Sequence, residues 1–240
     1  VVQINISIFP SKKDKIVFVG SKTDAEKQYP NATQYDLQGK TMLPGFVDPH
    51  SHFMSAVLMS TQVNVASAPM GDVTDIPSLI KKMQDFKKEK GIDDGDWIVG
   101  WGYDQDLLKE KRHITKMDLD KAFPNNKVLV VHISMHGGVL NSKALEWAGI
   151  DEKTKTPEGG IIARIPGTNE PAGLVMEMAY MPVFSKLPQP TEDEMMGLMK
   201  NAQMLYISNG YTQAIEGFTH IKDMNTLKRA AQENRLFIDV

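Results

Sequence analysis

The sequence predicts an α/β protein: a parallel sheet with helices outside it, entered through a short all-β segment at residues 1–45. Three observations carry this reading. From Phe46 onward, apolar strand-like runs alternate with amphipathic helical ones. Val128–Val131 is a continuous apolar run inside Lys127–Ser134, the pattern of a strand buried on both faces. The chain has 240 residues, 41% of them hydrophobic, enough to bury a core without cross-links.

Element by element, Ile4–Phe9, Lys15–Val19 and Thr33–Leu37 read as short strands, punctuated by Gly20, Gly39 and Pro44-Gly45. They hold too few apolar residues for a core of their own. Phe46–Asp48 reads as a short buried strand stopped by Pro49. Residues 77–90 form a helix with Asp75 as cap and Leu79, Ile80, Met83 and Phe86 on one face. Trp97–Trp101 and Lys127–Ser134 are strands, and Asn141 caps a helix that ends at Gly149. Residues 151–173 are rich in Gly, Pro and Thr and form a loop or hairpin excursion within an inserted region around 151–190. Thr191 and Glu194 make a capping box for a long helix stopped by Gly210. Tyr211–Ile215 is a strand, Asp223 caps a further helix, and Leu236–Val240 begins another strand. About five parallel strands follow residue 45, and the series stops on an apolar one, which predicts part of a longer protein.

Charge and composition exclude several function classes. The 27 basic and 30 acidic residues give a net charge of −3, and they are interspersed. Without a basic stripe, neither nucleic acid nor an anionic membrane is an expected partner. The absence of Cys removes thiolate catalysis, disulfides and Cys-based zinc sites. A cytoplasmic protein is expected, although the chain opens on Val1 rather than Met.

The chemistry-bearing motif is His50-x-His52. Residues two apart on a strand point to one side, and two neutral imidazoles so placed can hold one metal ion. Two partly exposed loop histidines are the plain alternative. The pair, however, follows a short strand and a Pro-Gly turn and opens a β/α series, where the C-terminal strand ends carry active sites.

With its neighbours, Gly39-Lys-Thr-Met-Leu-Pro-Gly-Phe-Val-Asp-Pro-His-Ser-His52 resembles the entry to the first barrel strand of the amidohydrolase superfamily. Four further segments resemble its YtcJ-like branch, amidohydrolase family 3, in order: Asp96–Asp104, Ser134–Leu145, Gly159–Arg164 and Pro171–Glu177. The resemblance implies a partial TIM-like (β/α)8 metallohydrolase barrel from residue 46, with residues 1–45 as a small β-sandwich segment. It implies one or two divalent ions, most often zinc, and a metal-activated water that attacks an amide, formamide or N-acyl carbon. Deamination, or an inactive ligand-binding or scaffold fragment, are the alternatives. Two further histidines and an Asp, required by the superfamily, are expected beyond Val240, so the 240 residues alone are expected to be a poor hydrolase.

His50, His52 and Glu177 are the expected metal ligands. Glu177 matches the acidic position of the branch's Pro-x-Gly-Leu-x-x-Glu pattern; the plain alternative is a solvated Glu on a short helix. Glu216, directly after the strand Tyr211–Ile215, competes for the same role. Trp101, Tyr103 and Asp104 after one strand, and His136 after the next, are the expected contacts to a small-molecule substrate. Core packing is the alternative for Trp101, and Gly137-Gly138 beside His136 suggests close backbone approach to a ligand. His132 reads as a hydrogen-bonded core residue, His113 as exposed, and His220 as structural. Homo-oligomer formation is possible.

Overall fold

The structure, a computed structural model, describes residues 11–12 and 15–240. The expected strand Ile4–Phe9 lies outside them. The chain divides into two compact units, at Pro44/Gly45.

In the first unit, β1 (Ser11–Lys12) pairs antiparallel with β2 (Lys15–Ile16), and α1 (Lys22–Gln28) follows. Ser21 caps this helix by accepting from the Asp24 N–H, and Ala25 is its buried residue. The described residues form no sandwich, and the expected strand Thr33–Leu37 is exposed coil. Few apolar side chains are available here to hold a second layer of strands.

The second unit runs β3 (Phe46–Val47), α2 (Phe53–Met59), β4 (Val63–Asn64), α3 (Ile76–Lys90), β5 (Trp97–Tyr103), α4 (Lys116–Ala122) and β6 (Lys127–His132). Then come β7 (Gly137–Leu140), α5 (Ser142–Ala148), β8 (Gly160–Arg164), β9 (Pro171–Glu177) and α6 (Met181–Lys186). It closes with α7 (Glu192–Ser208), β10 (Tyr211–Gln213) and α8 (Ile221–Gln232). Six strands form one sheet in the order β4-β5-β6-β7-β9-β8, and β3 pairs with β10 in a separate parallel pair.

The large sheet is mixed, which corrects the expectation of parallel strands throughout. Only β4-β5-β6 are parallel; the β6-β7, β7-β9 and β9-β8 pairs are antiparallel. The chain reverses in the turn at residues 133–136, and Gly137-Gly138, expected in a loop, lie in β7. A Cβ on Gly137 would stand 2.6 Å from the Val175 carbonyl oxygen, and one on Gly138 would stand 2.7 Å from a Leu129 methyl carbon. These glycines let β7 pack tightly between β6 and β9, a structural reason for them that needs no ligand. Beyond β7, the predicted excursion is the β8–β9 hairpin.

Strand β6 joins two cores. Val128 and Val130 pack with Leu79, Met83, Leu119 and Phe123 beneath α3 and α4. Leu129 and Val131 pack with Leu145, Val175 and Val183 on the other face. This period of two, with both faces covered, is the double burial expected of the run. A third core joins Phe53 and Val57 of α2 to Met196, Met199 and Tyr206 of α7 and Ala230 of α8.

Smaller departures have local causes. Phe46 and Val47 are each 53% exposed rather than buried, since β3 pairs only with β10 among the described strands. Leu236–Val240 makes a single parallel bridge, Asp239 to Gln213, instead of a strand. The cap of α8 is His220; Asp223 sits at the third helical position and accepts from the His220 N–H. No helix among the described residues is long and apolar enough to cross a membrane.

Asn141 ties helix to sheet. It is fully buried, accepts from the N–H groups of Val128 and Ala144, and donates to the carbonyls of Asn126 and Phe123. Asn141→Ala leaves these groups unsatisfied and is expected to lower stability by about 3 kcal/mol. Urea denaturation monitored by circular dichroism measures the loss.

Candidate functional site

His50 and His52 lie just past β3, in the loop that enters α2. The main chain is held from two directions. Asp48 Oδ1 accepts from the His50 N–H at 3.2 Å, and the Asp48 N–H donates to the Gln213 carbonyl at 2.9 Å. The Ser51 hydroxyl donates to the Ile215 carbonyl at 2.8 Å, and the Gly217 N–H donates to the Ser51 carbonyl at 2.8 Å. The histidine loop is thereby laced to the segment after β10.

Glu216 is the centre of this lacing. Its side chain is 7% exposed and lies beside His52, with Oε1 3.8 Å from Nδ1, longer than a hydrogen bond. Oε2 accepts from the Met54 N–H at 2.6 Å and Oε1 from the Phe218 N–H at 3.0 Å. Met54 is in the first turn of α2, whose cap residue His52 provides no side-chain cap. The carboxylate therefore supplies the missing acceptor at the positive end of that helix. The sequence placed Glu216 at a strand end; what it could not show is the engagement of both oxygens by backbone N–H groups.

The two imidazoles stand with centroids 5.5 Å apart and planes at 82°. Two imidazoles sharing one tetrahedral ion, with metal–nitrogen bonds of about 2.0–2.1 Å, have centroids roughly 5 Å apart. The centroid spacing of the pair is compatible with one divalent ion. Gly217 packs closely on the histidine loop: a Cβ there would lie 3.0 Å from the Ser51 carbonyl oxygen and in ordinary contact with both rings. Among the described residues, no group of three or more His, Asp or Glu side chains stands in a metal-holding arrangement. The structure accordingly does not gather His50, His52 and Glu177 into one cluster.

Glu177 ends β9 rather than lying on a helix. Strands β6 and β9 both run antiparallel to β7, so their C-terminal ends share one sheet edge. That edge holds Glu177, His132 and His136. The carboxylate of Glu177 accepts from His136 Nδ1 at 3.1 and 3.2 Å, and both side chains are about half exposed. Glu177 has φ 52° and Met135, next to His136, has φ 63°. Such left-handed conformations are uncommon for residues with a Cβ and concentrate at functional positions.

At the same edge, Tyr103 ends β5 fully buried, and its hydroxyl lies 3.1 Å from His113 Nδ1. Burial pushes the phenol well above its ordinary value, so it stays protonated beside the imidazole. Tyr103 therefore packs beneath the edge instead of forming an open aromatic wall. Asp104 and Trp101 are half-buried, Trp101 beside the core under α5. His113, expected to be exposed, is half-buried through this contact. His132 stacks edge-on against Tyr103 with centroids 5.2 Å apart.

Desolvation lowers the pKa of both His113 and His132, against the opposing pull of Asp104 and Asp106. An imidazole with a depressed folded-state pKa contributes stability that is fully present above the unfolded value, about 6.5. The contribution is lost as pH falls below that value, because the unfolded chain then binds more protons. The urea midpoint is expected to fall between pH 7 and pH 5, and the fall should be shallower in His113→Gln.

The mixed α/β fold that carries the histidine pair has counterparts among solved structures. A metal-dependent hydrolase from Pyrococcus furiosus superposes with a TM-score of 0.60 at 21% identity, over 95% of this chain and 44% of its own. One from Pyrococcus horikoshii gives 0.55 at 20% identity, over 96% and 43%. At these identities the likeness speaks for the fold. In sequence, the profile of the amidohydrolase family matches residues 34–240, and the chain belongs to that family. The N-substituted formamide deformylase of Arthrobacter pascens is 27% identical over 221 residues, 90% of this chain and 40% of the relative. The amidohydrolase YtcJ of Bacillus subtilis is 30% identical over 171 residues, 70% of this chain and 31% of the relative. The chain thus spans less than half the length of these curated relatives.

Proposed function

We propose that the protein is a metal-dependent hydrolase of non-peptide C–N bonds, acting on a small formamide, amide or N-acyl substrate in the cytoplasm. The observation that carries this is the perpendicular His50–His52 pair at single-ion spacing, in a chain of the amidohydrolase family. The similarity to a formamide deformylase along 90% of the chain supports the substrate class. The strand–helix order from β3, read with the family, supports a partial (β/α)8 barrel as the frame.

In this reading His50 and His52 hold a divalent ion, proposed to be zinc, through neutral ring nitrogens. When bound, the ion supplies Lewis acidity to a water and to the scissile carbonyl. Glu216 fixes the loop that presents the two rings. Glu177 is proposed to complete the ligand set, supported by its strained backbone and its place on the strand-end edge. His136, held by Glu177, and Asp104 and Trp101 on the same edge bind and orient the substrate, with Tyr103 supporting them from below. The exposed apolar side chains Phe46, Phe218 and Ile221 favour a homo-oligomer.

In the full-length protein, the double variant His50→Ala/His52→Ala is expected to lose its zinc by elemental analysis, and with it deformylation of an N-substituted formamide. Unchanged metal stoichiometry would overturn the assignment. The two carboxylates separate by opposite readouts. Glu177→Gln should lower metal content and leave the urea midpoint in place. Glu216→Gln should cost about 1–3 kcal/mol, because an amide turns a donor toward a backbone N–H, and leave metal content nearly intact. The reverse result would move the ligand role to Glu216.

A further inference from the structure

His132 has both ring nitrogens engaged, and its partners lie in different loops. Nε2 is 2.8 Å from Gln105 Oε1, in the loop after β5. The Gln105 amide nitrogen donates to Asp106 Oδ2 at 3.0 Å, which fixes the amide so that its oxygen faces the imidazole. Nε2 must therefore carry the proton. Nδ1 accepts from the Ser134 N–H at 3.1 Å, an obligate donor, and meets the Ser134 hydroxyl at 2.8 Å. Both sides of the ring assign the same neutral tautomer. The Ser134 oxygen accepts in turn from the His136 N–H at 3.3 Å.

These bonds form one directional chain. The His136 N–H donates to the Ser134 hydroxyl, which donates to His132; His132 donates to Gln105, which donates to the Asp106 carboxylate. Aligned hydrogen bonds polarise one another and rigidify what they connect. The His136 end carries the side chain that meets Glu177, so the backbone anchor and the carboxylate fix His136 from two directions.

We propose that His132 is a positioning residue, whose two ring nitrogens clamp the loop after β5 to the loop after β6 and thereby hold His136 against Glu177. Its relevance to the reaction rests on the reading above that His136 and Glu177 border the substrate; the clamp itself is testable without turnover. Around the ring stand Asp104 and Asp106 from the β5 loop, Tyr103 at the end of β5 and His113 before α4. Protonating Nδ1 would remove the acceptor that Ser134 uses, so the clamp belongs to the neutral ring.

Two substitutions divide the clamp. His132→Asn keeps an acceptor at the Nδ1 position and loses the reach to Gln105. His132→Gln keeps a donor at the Nε2 position and loses the acceptor for Ser134. Hydrogen–deuterium exchange by NMR on the protein at pH 7 should show the His136 amide exchanging about tenfold faster in His132→Gln, the worth of one ordinary hydrogen bond. His132→Asn, which keeps the Ser134 acceptor and releases the loop after β5, should exchange faster than the wild type by a smaller factor. Imidazole nitrogen shifts should report the Nε2–H tautomer for His132 in the wild type. Wild-type exchange in either variant, or an Nδ1–H tautomer, would overturn the proposal. A clamp verified in a protein that shows no zinc-dependent hydrolysis would fail the functional reading alone.

Discussion

The arrangement around the histidine pair depends on one nearly buried carboxylate. Glu216 accepts N–H groups from Phe218, two residues on, and from Met54, 162 residues before it in the chain. Bonds of this charge-assisted kind contribute about 1.5–3 kcal/mol each when they replace an unsatisfied donor. One of them also meets the positive end of α2, where the helix has no side-chain cap of its own. Through that helix the effect reaches Phe53 and Val57, and so the core shared by α2, α7 and α8. Packing and chemistry meet at this residue: the group that starts the helix also borders the rings proposed to hold the ion.

The large sheet solves a different problem. Its parallel half sets the ends of β5 and β6 side by side, and its antiparallel half returns β9 to the same edge. Tyr103, the His132–His136 segment and Glu177 are far apart in sequence but neighbours at that edge. Their environments are graded. Tyr103 is sealed in the core, His113 and His132 are half-buried, and His136 and Glu177 meet solvent. Polar groups near the core are held by neutral hydrogen bonds, and the carboxylate pairing lies outermost, where water lowers the cost of charge.

Legibility in the sequence follows the range of the forces involved. The Thr191/Glu194 box starts α7, Asp75 caps α3 and Asn141 caps α5, because these signals act within three residues. The uniform burial of β6 was readable from its unbroken apolar run. The two-residue β4 carries too little pattern to be seen. Strand β7 was hidden because Gly137-Gly138 mimics a loop, and only its neighbours β6 and β9 show that the missing side chains make space for backbone. Within the candidate site, His50 and His52 are visible as a local spacing. The burial of Tyr103 against His113, the pairing of Glu177 with His136 and the hold of Glu216 on Met54 arise from tertiary contacts that no local pattern encodes.

The β8–β9 hairpin separates two tasks along its length. Gly160 pairs with Glu177 at one end and Arg164 with Pro171 at the other, so the turn at residues 165–170 projects from the sheet edge opposite Glu177. Arg164 braces that turn by donating to the carbonyls of Asp151 and Asn169. Residues added or removed at the tip leave the pairing of β9 with β7 unchanged, and Glu177 stays in place. The far end of the hairpin is thus held by its own turn and by the Lys116–Glu170 ion pair, while the end at Glu177 is held in step by the sheet.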